Sequence, residues 1–225
     1  RGEAVLEEDA EGAREVLGLG EEMRQQRAHP EDLTRAFCVL LKNCLTSPDL
    51  RERMVNDGAV RPLVQLLHKS EIRGAQRSPA VVAAAASAVW NISAHESAKA
   101  LVIKEHGVEA LTEQLQNSQS EDVWQKCAGC LMVLAANSDK VKNLIGEQMG
   151  VKALTTIVKQ PNCAQTVLKA VLGALAVLSS DERNLGMMRE EGMEQLVEKF
   201  MKVKDDRVQI FVKQLRDRLY QTGES

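Results

Sequence analysis

Aromatic residues are scarce in this chain. Phe, Trp and Tyr make up only 3% of its 225 residues, so burial has to come from aliphatic side chains at close range rather than from large rings. A basic excess is also missing. The 29 Lys and Arg face 32 Asp and Glu, a formal net charge of −3, which argues against a general nucleic-acid binder. The longest apolar stretch, Ala80–Ala86, falls far short of the roughly 18 residues that a spanning helix needs, so direct membrane insertion is not expected. An even cysteine framework is lacking. The five cysteines lie mostly on apolar helical rows, as reduced thiols of a cytoplasmic protein would.

Catalytic motifs are missing too. There is no phosphate loop, no HExxH and no GxSxG, and the GxG of Gly18 and Gly20 follows no strand. Cys127 and Cys130 form a CxxC, but no second CxxC or His pair completes a zinc site, so both are expected to be buried and metal-free. The four histidines, His29, His68, His95 and His106, fall at expected loops or helix ends. No acid, base and nucleophile converge. The chain is expected to be a non-enzyme without metal or cofactor.

What is present is a repeated helical row, clearest at Val81–Ser93, VVAAAASAVWNIS. With Val81 as position zero, Ala85, Ala86, Ala88, Val89 and Ile92 stand at +4, +5, +7, +8 and +11. That spacing describes a helix buried on several faces. The row recurs from Val123 (Cys127, Ala128, Cys130, Leu131, Leu134), from Val167 (Val171, Leu172, Ala174, Leu175, Leu178) and from Leu33 (Phe37, Cys38, Leu40, Leu41, Cys44). From Val208 it returns Val212, Leu215 and Leu219, with Lys213 and Arg216 breaking two rows. Such charges suit an end repeat, whose outer face no neighbour covers.

A second landmark shares the period. A short polar stretch is followed by Gly with an apolar residue close behind, at Gly12, Gly58, Gly107, Gly150 and Gly192, spaced 46, 49, 43 and 42 residues apart. The expectation is that each Gly turns the backbone where a β-carbon is disfavoured. Each unit then holds a short helix, a second helix such as Ala13–Gln26, Ala59–Lys69 or Met193–Val203, and a long inner helix. Ser47 and Ser120 are expected N-caps, with Pro48 in the first turn. The longest spacing contains the polar loop Ser70–Pro79.

The segments NDGAVRPLVQLLHKS (Asn56–Ser70) and AVWNIS (Ala88–Ser93) resemble the armadillo-repeat family, whose period is about 40 to 47 residues. The resemblance implies an all-α, right-handed superhelical solenoid of about five three-helix repeats: 1–46, 47–94, 95–137, 138–180 and 181–221, one domain over 1–225. It also implies that the third helices line a concave groove that binds other proteins.

In that frame the groove positions +3, +6 and +10 hold Ala84, Lys126, Ser87, Gly129, Asn43, Asn91, Val133 and Val177. Trp90 and Met132 stand at the +9 shoulder, and Lys169 is nearby. Nuclear-import adaptors of the family carry Trp at +6 and Asn at +10, repeat after repeat. Here no +6 residue is Trp, and only Asn43 and Asn91 occupy +10. The small residues predict an open floor, and the two Asn predict hydrogen bonds to an extended peptide; an amphipathic helix is the other expected occupant. A closer resemblance is to membrane-tethered adaptors built only of armadillo repeats. It implies N-terminal acylation, a place on the cytosolic face of an organelle and a myosin partner. The chain begins at Arg1 rather than Met, so the lipid is expected on a segment outside this sequence. The alternative is an armadillo-type nucleotide-exchange cofactor of a 70-kDa chaperone.

Overall fold

The computed structural model describes residues 30–44, 47–68 and 77–220. The expectations for residues 1–29, including Gly12 and the Ala13–Gln26 helix, lie outside these residues, as does most of the Ser70–Pro79 loop. Among the described residues there are thirteen helices and no strand.

The helices group by threes. α1 (Pro30–Cys44) is an inner helix, and α2 (Pro48–Asn56), α3 (Val60–Leu67) and α4 (Pro79–Ile92) follow it. The pattern recurs as α5 (Glu96–Lys104), α6 (Gly107–Asn117) and α7 (Glu121–Ala135), then α8 (Asp139–Glu147), α9 (Gly150–Val158) and α10 (Gln165–Leu178). α11 (Glu182–Glu190), α12 (Met193–Phe200) and α13 (Asp206–Tyr220) complete the array. Packing is strongest along the inner row, where α1 meets α4, α4 meets α7 and α7 meets α10, and the row continues more weakly where α10 meets α13. The expected rows explain that order. At +4, +5, +7 and +8 every residue of α4, α7 and α10 is fully buried. Ala and Cys dominate these positions in α4 and α7, and such short side chains let inner helices approach closely. In α13, Val212 and Leu215 are buried while Lys213 and Arg216 are exposed. Arg216 pairs with Glu198 at 3.3 Å, so the +5 and +8 face of α13 is polar where that of the preceding inner helices is apolar.

The glycine landmark has two physical origins, which corrects the single origin expected. Gly58 and Gly192 do take left-handed φ values of 81° and 73°. At the two middle landmarks the left-handed residue is the preceding one, His106 or Met149, each with φ 62°. Gly107 and Gly150 are required by crowding. A β-carbon on Gly107 would lie 2.5 Å from Val102 Cγ1 and 2.8 Å from the Val102 carbonyl; on Gly150 it would meet Ile145 at the same distances.

The capping also differs in part. Ser47 and Ser120 occupy N-cap positions, but neither side chain accepts a hydrogen bond. Side-chain caps are made where Ser138 accepts from Val141 N, Asp181 from Asn184 N, and Asp205 from Arg207 N and Val208 N. Two helices stop short of expectation, and in both a side-chain amide bonds carbonyls at the C-terminal end. α3 ends at Leu67, whose carbonyl accepts from Gln114 Nε2 at 2.7 Å. α12 ends at Phe200, and Gln209 Nε2 donates to the carbonyls of Phe200, Met201 and Val203 beyond it. These carbonyls, which lack partners within a helix, find them outside it.

Candidate functional site: the face of the inner helices

The +10 row belongs to the array itself. Asn91 Nδ2 donates to the Lys42 carbonyl at 2.9 Å. Asn91 is at +10 of α4 and Lys42 at +9 of α1. The same step is repeated at the other end, where Arg218 (+10 of α13) donates to the carbonyl of Ala176 (+9 of α10) at 2.9 Å and to Ser179 Oγ at 2.9 Å. Each side chain clips the C-terminal turn of the preceding inner helix, which has carbonyls to spare. Asn91, expected to bond an extended peptide, has a packing role in the array. Its one polar hydrogen-bond donor group is engaged within the fold. Asn43, at the first +10 position, is exposed. Asn184, on α11, makes a comparable bond to the Lys142 carbonyl at 2.9 Å from a fully buried side chain.

The floor is filled rather than open. A β-carbon on Gly129 would lie 2.5 to 2.9 Å from three ring carbons of Trp90, so the indole rests directly on the Gly129 backbone. One repeat later, the same β-carbon test at Gly173 meets Met132 Sδ at 2.8 Å and the Phe211 ring at 3.2 Å. The rule is a large +9 side chain seated on the +6 glycine of the next inner helix. Gly129 is therefore small because Trp90 occupies its space. Ser87 is also no open floor position, being only 8% exposed. Trp90, Met132, Val133, Val177 and Phe211 remain half-buried, and Ala84 is half-buried beside them. These apolar side chains, with the two glycines, are what the inner face presents.

The two lysines have different surroundings. Lys126 lies 3.6 Å from Asp122, one turn away on α7. Lys169 is bound to Asp205 at 2.6 Å, and Gln165 reaches the same carboxylate oxygen at 2.9 Å. Asp205 thus caps α13 with one oxygen and holds α10 with the other. Its hydrogen bond from Lys169, followed by the bond from the Val208 amide, holds its carboxyl below the usual carboxylate range. Lys169 accordingly joins α10 to the residue that caps α13.

Cys127 and Cys130 are fully buried, and desolvation pushes both thiols far up from their ordinary value. Among the described residues no three His, Cys, Asp or Glu gather in a metal-holding group. A separate cleft of about 410 Å³ lies between α6 and α9, walled by Leu115, Trp124, Met149 and Ile157 and rimmed by Gln119 and Lys152. Its walls come mostly from the second helices, with Trp124 added by α7, and its lining includes none of Trp90, Met132, Val133, Val177 or Phe211.

Residues 47–94, which span α2 to α4, match the family described as Armadillo/beta-catenin-like repeat. Among solved structures, a set of computationally designed armadillo repeat proteins for modular peptide recognition superposes with TM-score 0.70 at 19% identity, over 86% of this chain and 78% of that one. The chain has the fold of an armadillo-repeat solenoid. A designed armadillo repeat protein in complex with the peptide (KR)4 matches with TM-score 0.70 at 19% identity, over 85% of this chain and 77% of that one. A chain from a structure concerning a phosphorylation switch in the interaction between cadherin and beta-catenin matches with TM-score 0.73 at 18% identity, over 88% of this chain but only 38% of that one. The comparison with curated proteins returns no match. Sequence reasoning found the inner-face rows of the armadillo array. It missed the clips and the filled floor, although a large +9 residue followed by a +6 glycine one repeat later was a visible signal.

Proposed function

We propose that this armadillo array is a non-enzymatic scaffold that holds a segment of a partner protein against its inner face. The observation that carries the reading is the line of half-buried apolar side chains, Trp90, Met132, Val133, Val177 and Phe211, braced from behind by glycines. A braced apolar line suits an amphipathic helix or an apolar peptide segment, whose side chains fit between the ridges. It suits an Asn-clamped extended peptide less well, because Asn91 already donates to the Lys42 carbonyl. Lys126, half-buried beside this line, favours a carboxylate on the flank of the bound segment.

The finer reading is an adaptor that links an organelle membrane to a cytoskeletal motor, with a myosin segment as the occupant. A displayed peptide library selected on the 225-residue chain tests the common core of the proposal. Amphipathic apolar peptides are expected to enrich, to change Trp90 emission, and to lose affinity about tenfold or more on Met132→Glu, since one buried apolar contact is worth over ~1.4 kcal/mol. Peptides that bind Met132→Glu and Phe211→Glu as tightly as wild type would place the partner elsewhere. Accelerated nucleotide release from a 70-kDa chaperone would replace the motor reading with the exchange-factor one.

A further inference from the structure

The cleft between α6 and α9 has a fixed apolar wall. The Trp124 ring is buried, and its Nε1 donates to the Ser118 carbonyl at 3.0 Å, which holds the indole in place. Leu115 and Ile157 are buried beside it. Met149 adds an apolar side chain at the mouth. It is 50% exposed and keeps a left-handed φ of 62°, a conformation that glycine takes at less cost.

One cation stands against this wall. Lys152 is the only charged residue in the lining, and it has no ion-pair partner among the described residues. Its counterparts in the neighbouring repeats are engaged. Lys152 follows the buried Val151 at the start of α9; Arg61 follows Val60 on α3, and Glu109 follows Val108 on α6. Arg61 lies 3.6 Å from Glu105, and Glu109 lies 3.1 Å from His106 Nδ1. Exposed Gln119, Thr156 and Gln160 complete the rim with neutral hydrogen-bonding groups.

The cleft does not continue along the array. Gln116 Nε2 crosses it to the Gln148 carbonyl at 2.8 Å. In the preceding seam Gln114 Nε2 reaches the Leu67 carbonyl at 2.7 Å, and in the following one Lys159 pairs with Glu191 at 3.1 Å. An isolated space of about 410 Å³, apolar with a few polar groups at its rim, has the size and make-up of a small-molecule site rather than of a track for a long segment.

We propose that this cleft binds a low-molecular-weight apolar carboxylic acid. Its ring or acyl chain lies against Trp124, Leu115 and Ile157, and its carboxylate pairs with Lys152. The lining offers a cation and no carboxylate, so an acid is favoured over an amine or a neutral ligand of the same shape.

NMR titration of the whole chain with 1-naphthylacetate tests this. The Trp124 indole N–H and the Met149 methyl signals should shift together, with a Kd of about 1 mM or below. The Trp90 indole, assigned by its loss in Trp90→Phe, should not shift. The uncharged 1-naphthylacetamide should bind about three- to fivefold more weakly. Lys152→Met should weaken the acid by the same factor and leave the amide unchanged. Met149→Gly should leave the melting temperature unchanged or raised, because glycine takes the left-handed φ freely, yet weaken acid and amide alike by about fivefold. Met132→Glu, on the inner face, should not alter acid binding, so this result and the peptide result there are independent. Trp124 and Met149 signals that stay still at about 5 mM acid would overturn the proposal. Equal affinity for acid and amide, or acid binding unaffected by Lys152→Met, would do the same. Tighter binding of a blocked tripeptide with a free C-terminal tryptophan carboxylate would overturn it in favour of a protein C-terminus.

Discussion

Gly129→Ala should have opposite effects on stability depending on what stands at position 90. Alanine is favoured over glycine inside a helix by about 1 kcal/mol, and Gly129 lies well within α7. In the wild-type background that gain is opposed by overpacking. The new β-carbon would sit 2.5 Å from the Trp90 ring, and forcing a methyl into filled space costs about 1–3 kcal/mol. The net expectation is a loss of up to about 2 kcal/mol, together with a red shift in Trp90 emission as the indole is lifted toward water. Trp124, the second tryptophan, is a built-in reference, because it is buried and donates to the Ser118 carbonyl at 3.0 Å. Trp90→Ala alone should cost about 2 kcal/mol, less than the ~3–5 of a fully buried aromatic, because Trp90 is half-buried. In that background Gly129→Ala has room, and it should stabilise by about 1 kcal/mol. The assay is urea denaturation of the four proteins of the cycle, followed by helical circular dichroism. A coupling of about 2 kcal/mol is expected. If Gly129→Ala changed stability equally in both backgrounds, the seating of Trp90 on Gly129 would not be what keeps that position glycine.

Gly186→Ala should stabilise by about 0.5–1 kcal/mol, because it is helical and a β-carbon there meets nothing within 4 Å. Gly58→Ala has equal room but a φ of 81°, so it should destabilise by about 1–2 kcal/mol; thermal melts of the pair check both. Asn91→Ala should lower the urea midpoint by the equivalent of about 0.5–1.5 kcal/mol through loss of the Lys42 clip, and Arg218→Met by about 1.5–3 kcal/mol through loss of two charge-assisted bonds. The pH dependence follows from Asp205. Its carboxyl titrates lower when folded than its ordinary 3.8, so its contribution is fully present above that value and fades as pH falls through the folded one. Removing the Lys169 partner should raise the Asp205 pKa by NMR titration. The stability gap between wild type and Lys169→Met should stay constant above about pH 5 and narrow below about pH 4.

Much of the fold was legible because helical burial is periodic and local. At +5 of α4, α7 and α10 the apolar residue itself marks the buried row, so Ala86, Ala128 and Leu172 could be placed from spacing and polarity alone. The glycine landmark was legible as a position but not as a cause. Whether a glycine is needed for its φ, as at Gly58, or for lack of a β-carbon, as at Gly107, depends on whether Val102 lies against it.

The inner face was only half legible, for a related reason. Its rows followed from the helical period, and so did its half-buried Val133 and Val177. Whether a small residue opens a floor or receives a neighbour depends on a side chain some 39 residues upstream, as with Trp90 over Gly129. The helical period does not predict how far that ring reaches across the interhelical step.

The sequence by itself determined the helical class, the period, the buried rows and the charges at Lys213 and Arg216. Each depends on the polarity of residues at fixed spacing along one helix. The tertiary structure alone decided that Asn91 and Arg218 serve the array, that Lys169 is held by Asp205, and that Gly129 and Gly173 lie beneath larger neighbours. Each of these is a contact between repeats. Its existence depends on the offset and rotation between stacked helices, which single-helix periodicity leaves undetermined.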